Sequence, residues 1–140
     1  MSFTAKVKWT GGMQFVGESE TGHAIVLDTS PENGGTDTGM QPMELLLIGI
    51  GSCSGMDIIS VLRKKRQEVT AIAVNVQGEN APDYPHQLTA IDVEWIIAGR
   101  NISEEAVKHA VDLSMTKYCS VKATLEHSAK ITFRYTIMNQ

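Results

Sequence analysis

Cys53 stands in the run GSCSG and Cys119 in KYCSV, 66 positions later; they are the only two cysteines of the chain. A thiol attacks as its thiolate, and at an ordinary pKa near 8.5 only about 3% is ionised at pH 7. Either sulfur therefore needs help from its surroundings to react. Cys53 falls about eleven residues into an expected helix, beyond reach of the N-terminal dipole, and on local sequence alone it reads as a buried core thiol. Cys119 falls where one helix ends and a short helical piece, SVKATLEHS, begins. There it is either held as thiolate by the free N–H groups of the next helix or packed as a small residue beside Tyr118 and Val121.

Two carboxylates belong to the same inventory. Glu44 lies in the first turn of the long helix, where negative charge gains from the dipole. It is two to three turns from Cys53 and needs a bridging group or a partner subunit to approach the sulfur. Asp57, four residues after Cys53, shares its helix face and opposes thiolate formation unless it is paired. An acid at such a position marks a hydrogen-bonded site or an interface. His23, His86, His109 and His127 make no close pattern with the cysteines, and neither CxxC nor HxxxH occurs, so no metal site is expected. The glycine pairs in TGG and NGG are turn signals without the helix that a phosphate-binding loop requires.

The elements that must position these groups follow from hydrophobic period and turn chemistry. KVKWTGGMQFVGESETGHAIVLD reads as three strands of an antiparallel meander, and residues 29–41, rich in Gly, Pro, Asn and Asp, as a loop. Pro42 fits the first turn of a helix of about 24 residues whose first two turns are apolar nearly all round, as in a buried helix. Glycines and serines around Cys53 cost helix propensity, about 1 kcal/mol per glycine, which points to close approach of another backbone. VTAIAVNVQGE and HQLTAIDVEWIIAG read as strands, the second with Ile91, Val93, Trp95 and Ile97 on one face. Ser103 reads as an N-cap, with Val107, Ala110, Val111 and Ser114 as the inner stripe of its helix. AKITFRYTI closes the chain as a strand. The order βββ-α-ββ-αα-β makes this an α+β fold, one domain spanning 1–140.

Of the 140 residues 42% are apolar and 20% charged, a globular balance. Sixteen acidic against twelve basic side chains leave a net charge of −4, which disfavours nucleic acid, and the run Arg63-Lys64-Lys65-Arg66 is explained by the C-terminal end of a helix. No signal-like segment opens the chain and no stretch of about 18 uninterrupted apolar residues occurs, so a cytoplasmic protein without membrane contact is expected. In a reducing compartment the two cysteines are buried thiols or a redox pair, not a permanent crosslink.

The segment PMELLLIGIGSCSGMDIISVL, followed by KYCSV, resembles the OsmC/Ohr superfamily of peroxide-stress proteins, and SETGHAIVLD and the element order resemble its YhfA-type branch in particular. The likeness covers essentially the whole chain. It implies an OsmC-like fold, with antiparallel sheets packed around a long central helix, and an interwoven homodimer with active sites at the subunit interface. It also implies thiol peroxidase chemistry without cofactor or metal. Cys53 would attack an organic hydroperoxide and become a sulfenic acid, Cys119 would condense with it to a disulfide, and a thiol or dithiol reductant would reset the pair. Glu44 would assist. One departure matters: peroxidase members hold the thiolate with an arginine from the segment before the reactive cysteine, backed by a glutamate just after the helix-opening proline. Here no arginine precedes Arg63, and Met43 follows Pro42, with Glu44 one position later. That departure keeps two other readings open, a non-enzymatic relative binding a small hydrophobic molecule at the dimer interface and a thiol redox sensor.

Overall fold

The computed structural model describes all 140 residues. Their internal contacts divide the chain into two compact units, Met1–Leu46 and Leu47–Gln140.

In the first unit, strands β1 (Ala5–Gly11), β2 (Gln14–Ser19) and β3 (Ala24–Leu27) pair antiparallel in that order, the meander the alternation predicts. Gly11 and Gly12 turn the first hairpin at φ of +116° and +57°, which side chains with a Cβ resist. The register places Val7, Trp9, Phe15, Ile25 and Leu27 on one face, yet Val7 and Trp9 stay 60% and 65% exposed. The following loop is organised by one buried carboxylate. Asp28 accepts from the backbone N–H of Thr29, Thr36 and Thr38 and from the hydroxyls of Thr36 and Thr38. The Thr38 hydroxyl, then the Thr29 N–H, hold its carboxyl far below the usual range.

Helix α1 (Pro42–Lys64) begins in the first unit and continues through the second. Pro42 occupies its first position, Glu44 accepts from the Gln41 N–H at 2.9 Å in the manner of a capping box, and Arg63 and Lys64 occupy the last turn.

The second unit is built on β4 (Glu68–Asn80), β5 (Leu88–Arg100) and β6 (Lys130–Asn139), in the order β4-β5-β6. β4 and β5 are antiparallel, whereas β6 runs parallel to β5, so this sheet is mixed and not wholly antiparallel as the sequence reading has it. A parallel neighbour needs a long crossover. It is supplied by α2 (Glu104–Leu113), a π-helical turn (Ser114–Tyr118) and α3 (Ser120–Leu125). The Ser103 side chain caps α2 by accepting from the Ala106 N–H at 3.2 Å, and Val107, Ala110, Val111 and Ser114 are buried, as their spacing predicts.

The core of this unit is the inward row Ile91, Val93, Trp95 and Ile97 of β5, with Ile50, Ser54, Ile58 and Leu62 of α1. The small residues of α1 admit valine side chains, not another backbone as the sequence suggests: a Cβ on Gly51 would lie 3.1 Å from Val76 Cγ2, and one on Gly55 3.6 Å from Val74 Cγ2. α1 is long and apolar enough to cross a membrane by length and composition alone, and one face of it, with Ile50, Gly51, Ser54, Ile58 and Leu62, is buried. It is less buried than its apolar start suggests, since Ile48 and Met56 are 48% and 69% exposed.

Candidate functional site

The middle of α1 sets the first sulfur. Ser54, next to Cys53, is wholly buried and accepts from the indole N–H of Trp95 at 3.0 Å while donating to the Gly51 carbonyl at 3.2 Å. This bond pins the helix to β5 and turns Cys53, one residue away, toward a half-buried position. Asp57 follows one helical turn later on the same face, as the i, i+4 spacing dictates.

The crossover sets the second sulfur. In the π-helical turn the Cys119 N–H donates to the Ser114 carbonyl at 2.9 Å, and the Ser114 hydroxyl donates to Asp57 Oδ2, also at 2.9 Å. Ser114 thus ties the backbone of Cys119 to the carboxylate on α1. Single π turns of this kind recur at functional sites, because the extra residue re-aims the chain. Cys119 then caps α3, its Sγ accepting from the Lys122 N–H at 3.4 Å.

These contacts bring Cys53 Sγ, Cys119 Sγ and a carboxylate oxygen of Asp57 all within 4.8 Å of one another. Both thiols are free. Glu44 is not in this group. It precedes Cys53 by nine positions on the helix, two and a half turns, is exposed, and is engaged with the Gln41 N–H.

The electrostatics are unusual for a reactive dithiol, since no lysine or arginine side chain bonds either sulfur or Asp57. Cys119 is 3% exposed, and burial pushes its thiol up to about 11. The Lys122 N–H opposes that rise, while Cys53 and Asp57 add to it. The start of α3 therefore does not stabilise a thiolate at Cys119, the first of the two sequence alternatives: a six-residue helix offers one N–H, and desolvation outweighs it. Asp57 is paired, as the sequence demands of an acid at that place, but with a neutral hydroxyl.

Two sulfurs and one oxygen at this spacing could also hold a soft divalent ion, a possibility that histidine and CxxC patterns do not reveal. Without a fourth protein ligand the set falls short of a closed structural metal site. Beside it, a cavity of about 460 Å³ lined by Asp57, Ser60, Val61, Lys64, Lys65, Leu113 and Tyr118 opens to solvent. On another side of α1, a groove of about 420 Å³ runs along Gly51, Ser52, Gly55, Met56 and Ile59. Sequence reasoning placed Ser114 in the α2 stripe without seeing its role. The signal available was a polar residue at a position the helical period assigns to the core.

Comparison with known proteins supplies the context. The family model described as OsmC-like protein matches residues 35–134. Protein YhfA of Escherichia coli K12 is 41% identical over 134 residues, covering 96% of this chain and 97% of that protein. A crystal structure of a hypothetical protein from Aquifex aeolicus superposes with a TM-score of 0.88 at 30% identity, covering 100% of this chain and 98% of that one. An organic hydroperoxide resistance protein OsmC from Legionella pneumophila shares the fold at 14% identity, with a TM-score of 0.70 and 97% of each chain covered.

Proposed function

The chain belongs to the OsmC-like protein family, and from that premise we propose that it is a cysteine-based reductase of organic hydroperoxides. Cys53 attacks and Cys119 resolves. The observation that carries this reading is the convergence of two free thiols, 66 positions apart in sequence, to within 4.8 Å on two different elements. The half-buried sulfur is the one open to substrate, and the buried one is its resolving partner.

The chemistry balances in three steps. The Cys53 thiolate attacks the terminal peroxide oxygen, the O–O bond breaks, and the substrate leaves as an alcohol once its alkoxide takes a proton. Cys53 is then a sulfenic acid. Cys119 displaces the sulfenic oxygen as water and forms the disulfide before further oxidation occurs. A thiol or dithiol reductant returns both cysteines to thiols and is itself oxidised to a disulfide.

The protein acts as a homodimer in the cytoplasm, in oxidative-stress defence. The exposed α1 residues Ile48, Ser52 and Met56 recur every four positions, and the two apolar side chains with small Ser52 between them suit packing against a second copy. In that dimer Glu44 assists from the second copy's helix.

One observation favours a second reading, a binding protein for a small hydrophobic molecule. A carboxylate beside both sulfurs, with no cation to offset it, adds to the rise of the Cys119 thiol.

Intact-mass and peptide mapping of the reduced protein after stoichiometric cumene hydroperoxide separates the two. Peroxidase chemistry gives loss of two hydrogens through a Cys53–Cys119 bridge, and a trapped sulfenate at Cys53 in Cys119→Ser. Two unmodified thiols after minutes would overturn it in favour of the binding protein.

A further inference from the structure

Within the peroxidase reading, on which this inference rests, the resolving step has an unmet requirement. Cys119 must give up its proton as its sulfur attacks, and the oxygen leaving Cys53 must gain one. The sulfur that attacks is buried, and its thiol is pushed up to about 11, so a free thiolate is scarce at neutral pH. Hydroxide is in addition a poor leaving group unless it is protonated as it departs.

We propose that Asp57 carries this proton, accepting it from Cys119 and delivering it to the oxygen that leaves Cys53. The geometry supports both halves of the transfer. One oxygen of Asp57 lies within 4.8 Å of both sulfurs, so a single carboxylate faces the donor and the site where the leaving oxygen forms. The Ser114 hydroxyl holds Oδ2, and the Ser114 carbonyl holds the Cys119 N–H, so one residue fixes the carboxylate relative to the backbone of the attacking cysteine.

The step closes in atoms and electrons. The Cys119 sulfur forms the S–S bond with its electron pair, the Cys53 S–O bond breaks, the thiol proton passes to Asp57, and the Asp57 proton passes to the departing hydroxide to give water. Asp57 ends as it began, so no net proton enters or leaves the site. The inventory of other groups leaves Asp57 as the carrier. Lys64, at the end of α1, and Lys65 after it line the solvent cavity, and neither bonds a sulfur or Asp57. In the π turn, the Lys117 ammonium stacks over the Tyr118 ring at 5.3 Å. On α3, the Lys122 side chain is paired with Glu126 at 3.3 Å, and only its backbone N–H meets the sulfur. Trp95 is committed to Ser54.

The test turns on a sign. A carboxylate that merely sits beside buried thiols hinders their ionisation, and removing its charge would speed resolution. A proton carrier does the reverse. With organic hydroperoxide in a rapid-mixing experiment, Asp57→Asn, whose amide oxygen keeps the Ser114 partner, is expected to slow disulfide formation at pH 7 about 100-fold, the lower range for general acid–base catalysis. Cys53 sulfenate then accumulates. The wild-type rate stays flat between about pH 6 and 9, while the Asn variant climbs about tenfold per pH unit because it needs free Cys119 thiolate. Asp57→Glu restores the flat profile. Equal or faster condensation in Asp57→Asn overturns the proposal.

A second readout separates this outcome from failure of the peroxidase reading. Cys53 loaded as a mixed disulfide with thionitrobenzoate releases the coloured thiolate when Cys119 attacks, with no peroxide involved. Slower release in Asp57→Asn, with the same pH slope, supports Asp57 as proton acceptor whether or not cumene hydroperoxide oxidises the protein. Unchanged release overturns that role.

Discussion

Cys53 sits in the middle of a 23-residue helix whose small residues bed against valines of β4, whereas Cys119 caps a six-residue helix at the end of a crossover. The first sulfur is half-buried on a rigid element, and the second is buried on a short one. Reaction with an outside oxidant needs the exposure of the first. Capture of the product needs a segment that can shift by a few ångströms, which a π turn and six residues of helix concede more easily than a long helix tied into the core. Under the proposed peroxidase reading, the difference between the two settings, more than the chemistry of either thiol, favours Cys53 as the attacking sulfur.

The largest expected effect tests the rigid half of that contrast. Ser54→Ala removes the only partner of the buried Trp95 N–H and leaves a donor without an acceptor, at a cost of about 1–3 kcal/mol. Ser120→Ala, at the exposed start of α3, is expected to change stability by less than about 0.5 kcal/mol. Urea unfolding of the two variants measures the gap. Equal losses would mean that α1 is held no more firmly than α3, and the assignment of roles would lose its mechanical basis.

An intermediate effect tests the buried half. Burial, with lesser contributions from Cys53 and Asp57, raises the Cys119 thiol from 9.0 to about 11. A raised acid in the folded state contributes stability that is complete below the unfolded value. That contribution declines as pH climbs from about 9 toward 11, because the unfolded chain loses its proton first. The reduced protein should therefore lose stability across that window, and Cys119→Ser should lose less. Unfolding curves at stepped pH decide it, and parallel declines would place the Cys119 thiol in water.

Much of this arrangement is legible in the sequence, for identifiable reasons. Alternation in IDVEWII reveals the buried row of β5, and Ser103 with the spacing of Val107, Ala110 and Val111 reveals a capped amphipathic helix, because both depend on local period. The direction of β6 is not legible: alternation says which face is inward and nothing about whether the neighbouring strand runs parallel. Nor is the site's polar bracing. Ser114 occupies a core position of α2, and only the π turn, which no local pattern signals, brings its hydroxyl to Asp57 and its carbonyl to Cys119. The convergence of the two sulfurs came from the family resemblance, since 66 intervening residues carry no distance information. The environment of Cys119 decides between two local readings in favour of the buried one, because a cap position promises N–H donors while the burial that comes with it costs the thiolate more.

The smallest expected effect is an inversion of preference between the two sites. Cys53 is interior to a helix, where alanine outranks serine by roughly 0.5 kcal/mol, because serine's hydroxyl competes for backbone partners. Cys119 is an N-cap, and its sulfur accepts from the Lys122 N–H at 3.4 Å. A serine there keeps that acceptor, with an oxygen better matched to the N–H, and an alanine abandons it for about 1 kcal/mol. The expected ranking is therefore Ala above Ser at position 53 and Ser above Ala at position 119, measured on the four single variants by thermal and urea unfolding under reducing conditions. Each difference is small, but opposite signs within one protein cancel shared errors of extrapolation. If alanine wins at both positions, the Cys119 sulfur is held by packing alone. The Lys122 N–H would then contribute nothing to its placement, and the rigidity of α1 alone would set the two thiols apart.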